Sequence, residues 1–181
     1  LQGIAEDIEN DHQELGNLLQ LLNAQKHALD NALRLIDIGD RGRADSVVFY
    51  LQSLSTQEVF SPDRYHFDYL QSSAGINFIE SDPLNRQLEG LFGKNGSDQI
   101  QKGEQFFQAD DETVLRPFML ETFDFVKQEF IDTRAAFAPR LKNALFLKNG
   151  ALSLRLHACR QTMKQMKSVN QQIDHYLRST R

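Results

Sequence analysis

Apolar residues recur every seven positions at both ends of this chain. Near the amino end they are Ile8, Leu15, Leu22, Leu29 and Ile36, and near the carboxyl end they are Leu145, Leu152, Cys159, Met166 and Ile173. This period is typical of long helices that pack along a seam. The first heptad predicts a helix over residues 2–38. The second predicts a helix over 143–178, with a weak point at Asn149-Gly150.

The two ends also carry opposite charge. Residues 1–40 hold eight acids and two bases, whereas residues 140–181 hold nine bases and one acid, Asp174. An antiparallel pair would bring these charges together and would also suit both helix dipoles, so the sequence favours that arrangement. The same first heptad also supports a parallel homodimer, although Glu6, Asp7, Glu9 and Asp11 would then lie near their own copies.

Residues 44–140 differ from both ends, because they hold all four prolines and most of the aromatic residues. The predicted helices there cover 44–56, 62–73, 83–92, 97–108 and 111–136, and no β-hairpin is predicted. The last of these carries an apolar stripe that predicts a buried face: Leu115, Phe118, Met119, Phe123, Val126 and Phe130. Gly75 is expected to end the second helix, with Phe78 filling the corner behind it.

The predicted fold class is therefore all-α. Long antiparallel coiled-coil-like helices, residues 1–40 and 141–181, flank a compact aromatic-rich helical head, residues 44–140, in a single domain over 1–181. A chain of 181 residues with 40 % hydrophobic and 25 % charged residues suits one such domain. Asp11, Gln25 and Asn170 are the polar exceptions on the seams.

Composition excludes several classes of function. A net charge of −5 gives no overall basic surface for nucleic acid, and the single Cys159 excludes an intrachain disulfide. No run approaches the roughly 18 apolar residues of a membrane span. The sequence begins at Leu1 without a methionine, which suggests a fragment, so an upstream anchor or a signal segment could lie outside it.

Sequence motifs assign no catalytic, cofactor-binding or metal residue, and they predict that the protein is not an enzyme and needs no cofactor. Glu9 and His12 form a Glu-x-x-His pair, but a di-iron bundle requires a second copy, so a solvated acidic face is favoured. The glycine-rich run over 90–98 lacks the Lys-Ser/Thr of a phosphate loop and predicts a flexible loop. Cys159 lies on the seam and predicts a buried hydrophobe.

The run FSPDRYHFDYLQSSAGINFIESDPLNRQLEGLF, residues 60–92, resembles the central signature of a family of functionally uncharacterised bacterial membrane-anchored proteins common in Bacteroidetes. The matching residues are Phe60, Pro62, Tyr69, Leu70, Ser72, Ser73, Gly75, Ile79, Asp82, Leu84 and Leu88. The resemblance implies a transmembrane helix before the first long helix. It also implies a periplasmic domain on an inner-membrane anchor, and it supplies no activity.

Two functions follow as hypotheses. The first is a noncatalytic extracytoplasmic module of a membrane-anchored bacterial protein that binds a protein or a cell-envelope component. The alternative is a periplasmic ligand-sensing or receptor domain whose long helices transmit a change toward the membrane. A metal-dependent helical-bundle enzyme is the distant third. The partner and the ligand are not identified by the sequence.

Overall fold

The structure is a computed structural model that describes residues 1–54, 56, 58–73, 79–93 and 98–179, apart from the side chains of residues 98, 99, 110 and 111. These residues are predominantly helical, which confirms the all-α class. Among them, no helix combines the length and apolar character needed to cross a membrane.

Two long helices dominate the element order. Helix α1 spans Gln2–Ile38 and ends at Gly39, whose φ of +70° is the left-handed conformation that glycine adopts readily. Helix α7 spans Pro139–Ser179. It continues through Asn149-Gly150, so the predicted weak point does not break it, and the first-helix bounds of 2–38 are confirmed.

Shorter elements connect the long helices. In chain order they are a 3₁₀ turn Arg41–Arg43, α2 Ala44–Gln52, α3 Tyr65–Ser72, α4 Asp82–Phe92, α5 Asp98–Asp110, a π turn Asp111–Leu115, α6 Arg116–Thr122, β1 Phe123–Asp124, β2 Glu129–Phe130 and a 3₁₀ turn Thr133–Phe137. Helix α3 begins at Tyr65, three residues after Pro62, because the carboxylate of Asp63 accepts the N–H of Tyr65 at 2.9 Å. Helix α2 ends at Gln52, short of the predicted residue 56.

The prediction of one helix over 111–136 without a hairpin is wrong. Strands β1 and β2 form an antiparallel hairpin with Phe123 opposite Phe130. The carboxylate of Asp124 accepts the N–H groups of Val126 and Lys127 at 3.0 and 3.1 Å, which closes the turn. Gln128 then reverses the chain with a φ of +57°.

The hairpin also divides the predicted apolar stripe. Leu115, Phe118, Phe123 and Phe130 are buried, whereas Val126 is 94 % exposed. Apolar spacing therefore predicted a helix wrongly here, because hydrogen bonds from the backbone to a local side chain form a turn in its place. The expected corner at Gly75 and Phe78 lies outside the described residues.

The chain contains two compact units. Unit 1 comprises Leu1–Leu19, Val59–Lys102 and His157–Arg181, and unit 2 comprises Gln20–Glu58 and Gly103–Leu156. Each long helix therefore supplies residues to both units. The sequence-based division into paired helices 1–40 and 141–181 and a head over 44–140 stays a prediction.

Unit 1 has an aliphatic and aromatic core. The rings of Phe67 and Phe92 stack with centroids 5.2 Å apart, and Leu84 and Leu88 on α4 are fully buried. The hydroxyl of Tyr176 on α7 accepts the N–H of Glu80 at 3.3 Å, just before α4 begins. These contacts hold α3, α4 and the end of α7 together within the unit.

Unit 2 includes the hairpin and the middle of both long helices. The rings of Phe123 and Phe130 meet edge to face with centroids 5.4 Å apart. Helix α2 packs against β2 and the 3₁₀ turn that follows it. Between α1 and α7, Lys142 pairs with Asp37 at 2.5 Å and the side-chain amide of Asn149 donates to Asp30 at 3.1 Å.

Candidate functional site

An apolar pocket of about 400 Å³ lies in unit 2 between α2, the start of α6 and the hairpin. It is lined by Val48, Leu51, Gln52, Leu54, Leu115, Arg116, Met119, Phe123, Phe125 and Gln128. Most of these side chains are apolar, and a volume of this size lies within the range of small-molecule sites, roughly 300–1,000 Å³. The pocket can therefore take an apolar group of a ligand or of a protein segment.

The pocket has a buried floor and an exposed rim. The floor consists of buried aliphatic and aromatic side chains that are at most 8 % exposed, namely those of Val48, Leu54, Leu115 and Phe123. The polar lining residues, Gln52, Arg116 and Gln128, are all exposed. Phe125 is 57 % exposed and also lines the pocket, so it belongs to the rim.

A polar contact joins two sides of this rim. The amide nitrogen of Gln52 on α2 donates to Oε1 of Gln128 in the hairpin turn at 3.2 Å. Gln128 makes this contact from a left-handed backbone conformation, which non-glycine residues adopt at a cost of roughly 1–3 kcal/mol. Gln128 also lines the pocket, so this turn residue belongs to both the hairpin and the rim.

Buried polar side chains hold the segment that connects α2 to α3. In unit 2, the amide of Gln25 donates to the carbonyl oxygen of Thr56 at 2.7 Å, and Nη2 of Arg155 donates to the carbonyl oxygen of Glu58. Gln25 and Arg155 are at most 2 % exposed. Thr56 and Glu58 are exposed residues, so these two buried side chains attach a surface segment to α1 and α7.

In unit 1, two carboxylates one turn apart on α1 hold the start of α3. Both oxygens of Asp11 accept the N–H of Asp63, at 3.0 and 3.1 Å. The oxygens of Asp7 lie 2.9 Å from Nδ1 of His66, and one of them accepts the His66 N–H at 3.3 Å. Asp7 and Asp11 are 5 % and 2 % exposed, so the acidic side chains are internal to the unit.

Asp11 has a perturbed acidity as a result. Burial raises its pKa from 3.8 to about 6. The N–H of Asp63 opposes that rise because it stabilises the charged form, while the negative charges of Glu14, Asp63 and Asp7 add to it. A carboxylate that titrates near neutral pH is thus attached to the start of α3.

Unit 2 also contains a buried cationic cluster. Nζ of Lys148 lies 4.0 Å from the ring centroid of Phe107, and Nη2 of Arg155 lies 3.7 Å from Oε1 of Glu104. All four side chains are at most 7 % exposed. Helix α5 approaches α7 closely here, because a Cβ on Gly103 would lie 3.2 Å from Cα of Arg155. The cluster holds α5 against α7.

The residues considered from sequence lie elsewhere. Glu9 and His12 line a cavity of about 330 Å³ in unit 1 with Lys167, Asn170 and Asp174. Among the described residues, no three His, Cys, Asp or Glu side chains are grouped to hold a metal ion. Cys159 is fully buried, which confirms the prediction that it is a buried residue. Residues 94–97 of the glycine-rich run lie outside the described residues.

Sequence reasoning missed the pocket and the polar contacts to the connecting segment. The pocket depends on the hairpin, which helical periodicity concealed. Asp11 and Gln25 were visible as polar interruptions of the first heptad, and that signal would have marked them as residues with buried partners. Lys148 and Arg155 were also recognisable as bases beside the seam of α7. The sequence did not show, however, that α5 packs over them.

Comparisons with protein-family models, curated proteins and solved structures find no significant match to this chain. The assignment of a function therefore depends on the residues and geometry of the chain itself.

Proposed function

We propose that this protein is a noncatalytic binding module and that the apolar pocket of unit 2 is its binding site. The observation that carries the proposal is the pocket's combination of a buried apolar floor with an exposed rim at Phe125. A protein or envelope component would insert an apolar group between α2 and α6. Burial of that group would supply the binding energy, at about 25 cal/mol for each Å² removed from water.

Two of the exposed apolar side chains of unit 2, Phe125 and Val126 in the hairpin, support the same site. In unit 2, the exposed large apolar residues are Ile38, Phe49, Phe106, Leu120, Phe125, Val126, Ile131, Phe146, Leu147 and Leu154. Phe125 lines the pocket, and Val126 follows it in the hairpin turn. Concentrations of exposed apolar surface typically mark binding sites.

Antiparallel coiled-coil-like packing of α1 and α7 is part of the proposal. Within unit 2, the contacts of Asp37 with Lys142 and of Asp30 with Asn149 are spaced seven residues apart on both helices and run in opposite directions. Within unit 1, Ile8 and His12 of α1 line a cavity with Met166 and Asn170 of α7. A compact head over residues 44–140 belongs to the same proposal.

The resemblance of residues 60–92 to bacterial membrane-anchored proteins adds a location to the proposal. In that arrangement, a membrane segment outside this sequence would hold the module on the periplasmic side of the inner membrane. Only the resemblance supports this location.

A periplasmic ligand sensor is the second candidate. The hydrogen bond between Gln52 and Gln128 favours it, because a ligand entering between the two side chains would break a contact that joins α2 to the hairpin. Ligand binding could then change the position of α2, which is connected to α1 through a short 3₁₀ turn.

Binding of the uncharged fluorescent probe N-phenyl-1-naphthylamine tests the proposed site. We expect Phe125→Ser to weaken probe binding by about fivefold or more, since a rim aromatic would be lost. Phe146→Ser is the matched control, because Phe146 is an exposed phenylalanine of the same unit that does not line the pocket. Equal probe affinity in the two variants would contradict the proposal.

A further inference from the structure

We infer that the apolar pocket of unit 2 is built for an anionic amphiphile, whose apolar chain occupies the floor and whose carboxylate or phosphate is bound by Arg116. The inference rests on the proposed function, because it names the ligand of the same pocket. It adds a chemical requirement that the proposed function does not contain, namely a negative charge at the rim.

Charge complementarity at the rim carries the inference. Of the ten described residues that line the pocket, Arg116 alone has a formal charge, and it is positive. A guanidinium has five N–H donors, so it can bind an anion in addition to a protein partner. Its planar geometry matches the paired oxygens of a carboxylate or a phosphate. A cationic head group would instead be repelled.

The arrangement of polarity fixes the orientation of such a ligand. Leu115 is 8 % exposed and the adjacent Arg116 is exposed, so the boundary between floor and rim falls within one peptide unit at the start of α6. Gln128 lies on the same exposed rim, and its side-chain amide nitrogen can donate a hydrogen bond to an anionic head. An amphiphile therefore fits with its chain on the floor and its head at Arg116.

The alternatives are less well matched to the lining. An uncharged apolar group would fill the floor but would leave the rim cation without a role in binding. An aromatic or aliphatic side chain of a protein partner would need an acidic residue beside it to reproduce the same contacts. If the pocket takes an uncharged apolar group instead, decanol will bind as tightly as decanoate.

Competition for N-phenyl-1-naphthylamine by three compounds of equal chain length tests the requirement for charge. We expect decanoate and decyl phosphate to displace the probe at least about fivefold more tightly than decanol. Arg116→Gln should remove that preference, because the guanidinium that binds the anionic head is lost while the apolar floor is intact. Arg41→Gln is the control, since Arg41 is an exposed arginine of unit 2 that does not line the pocket.

Two failures can be told apart. If decanol binds as well as decanoate and Arg116→Gln changes neither, the inference is overturned while the proposed function stands. If Phe125→Ser leaves the binding of decanol and of the probe unchanged, the pocket is not the binding site. Both the inference and the proposed function are then wrong. Circular dichroism of each variant verifies that it is folded.

The anionic amphiphile can come from solution or from a membrane. Co-sedimentation with vesicles of phosphatidylglycerol, compared with vesicles of phosphatidylcholine, separates these sources. Binding to phosphatidylglycerol vesicles that Arg116→Gln abolishes would assign the ligand to anionic lipid. Displacement of the probe by free decanoate without vesicle binding would assign it to a soluble amphiphile. Both results keep Arg116 as the anion-binding residue.

Discussion

Unit 1 and unit 2 bury opposite charges and expose different surfaces. Unit 1 buries the carboxylates of Asp7 and Asp11, and among its described residues the exposed large apolar side chains are Val59, Tyr65 and Tyr69. Unit 2 buries the bases Lys148 and Arg155 together with Glu104, and it exposes many more phenylalanine, leucine and isoleucine side chains.

The difference indicates that the two units have different tasks. The buried acids of unit 1 are used to hold backbone N–H groups at the start of α3, and the unit presents a mainly polar exterior. The buried bases of unit 2 hold α5 and the connecting segment, while its surface exposes several large apolar side chains beside its charged ones and its pocket is lined mainly by apolar residues. We therefore expect substitutions in unit 1 to change stability and pH response, and surface substitutions in unit 2 to change binding.

Replacement of the buried cation of unit 2 should have the largest effect. Arg155→Met leaves the buried carboxylate of Glu104 without its cation and removes the hydrogen bond to the carbonyl oxygen of Glu58, so we expect the free energy of unfolding to fall by about 3–5 kcal/mol. Urea titration measures the loss. The double variant Arg155→Met with Glu104→Met should lose less, because the uncompensated buried charge is removed.

Lys164→Met is the matched control for this prediction, since it removes an exposed base from the same helix. Its effect should remain within about 0.5 kcal/mol. A loss for Arg155→Met no larger than that of the control would mean that the buried cation does not stabilise unit 2.

Alanine at helical glycines should distinguish the packing of the two units. Gly103→Ala in unit 2 places a methyl group 3.2 Å from Cα of Arg155, and such overpacking costs roughly 1–3 kcal/mol. Gly16→Ala in unit 1 meets nothing within 4 Å and should stabilise α1 by roughly 0.5–1 kcal/mol. Thermal unfolding of both variants checks the signs, and a stabilised Gly103→Ala would refute the close helix approach.

The remaining prediction concerns the response of unit 1 to pH. Burial raises the folded-state pKa of Asp11 from 3.8 to about 6, so the folded protein binds more protons than the unfolded chain between these values. The contribution of Asp11 to stability is therefore fully present below about pH 4 and is lost as the pH rises through 6. Asp11→Asn keeps an acceptor for the Asp63 N–H and removes this loss.

We expect Asp11→Asn to be more stable than the wild type at pH 7.5 by a margin that shrinks as the pH falls toward 4. Denaturant titrations across this pH range measure the margin. Asp174→Asn controls for the loss of one exposed negative charge in the same unit. A margin that does not vary with pH would show that Asp11 is not the group responsible.

The long helices were the most predictable part of the fold, because a seven-residue apolar period sustained over five repeats has few interpretations. The bounds of α1 followed from the heptad and from Gly39, and α4 began near Pro83 as a proline in the first turn requires. The hairpin was not predictable from periodicity, since Phe123 and Phe130 are also seven residues apart and fit a helix equally well. A two-residue strand depends on the Asp124 turn and on packing against α2.

The pocket was harder to predict from the sequence than the fold was. Its lining comes from α2, α6 and the hairpin, and their proximity is a tertiary property that no local spacing encodes. The pattern did contain one usable signal, because Asp11 and Gln25 occupy seam positions where an apolar residue is expected. Their carboxylate and amide both bind backbone atoms of the segment between α2 and α3.

Gly3 on α1 limits how this protein can be improved by design. A Cβ at that position would collide with the imidazole of His66, which is the ring that lies beside Asp7. A helix-optimising redesign would replace both Gly3 and Gly16 by alanine on propensity alone. One change would gain stability, while the other would displace the ring that α1 binds at the start of α3. Two glycines of the same helix thus require opposite treatment.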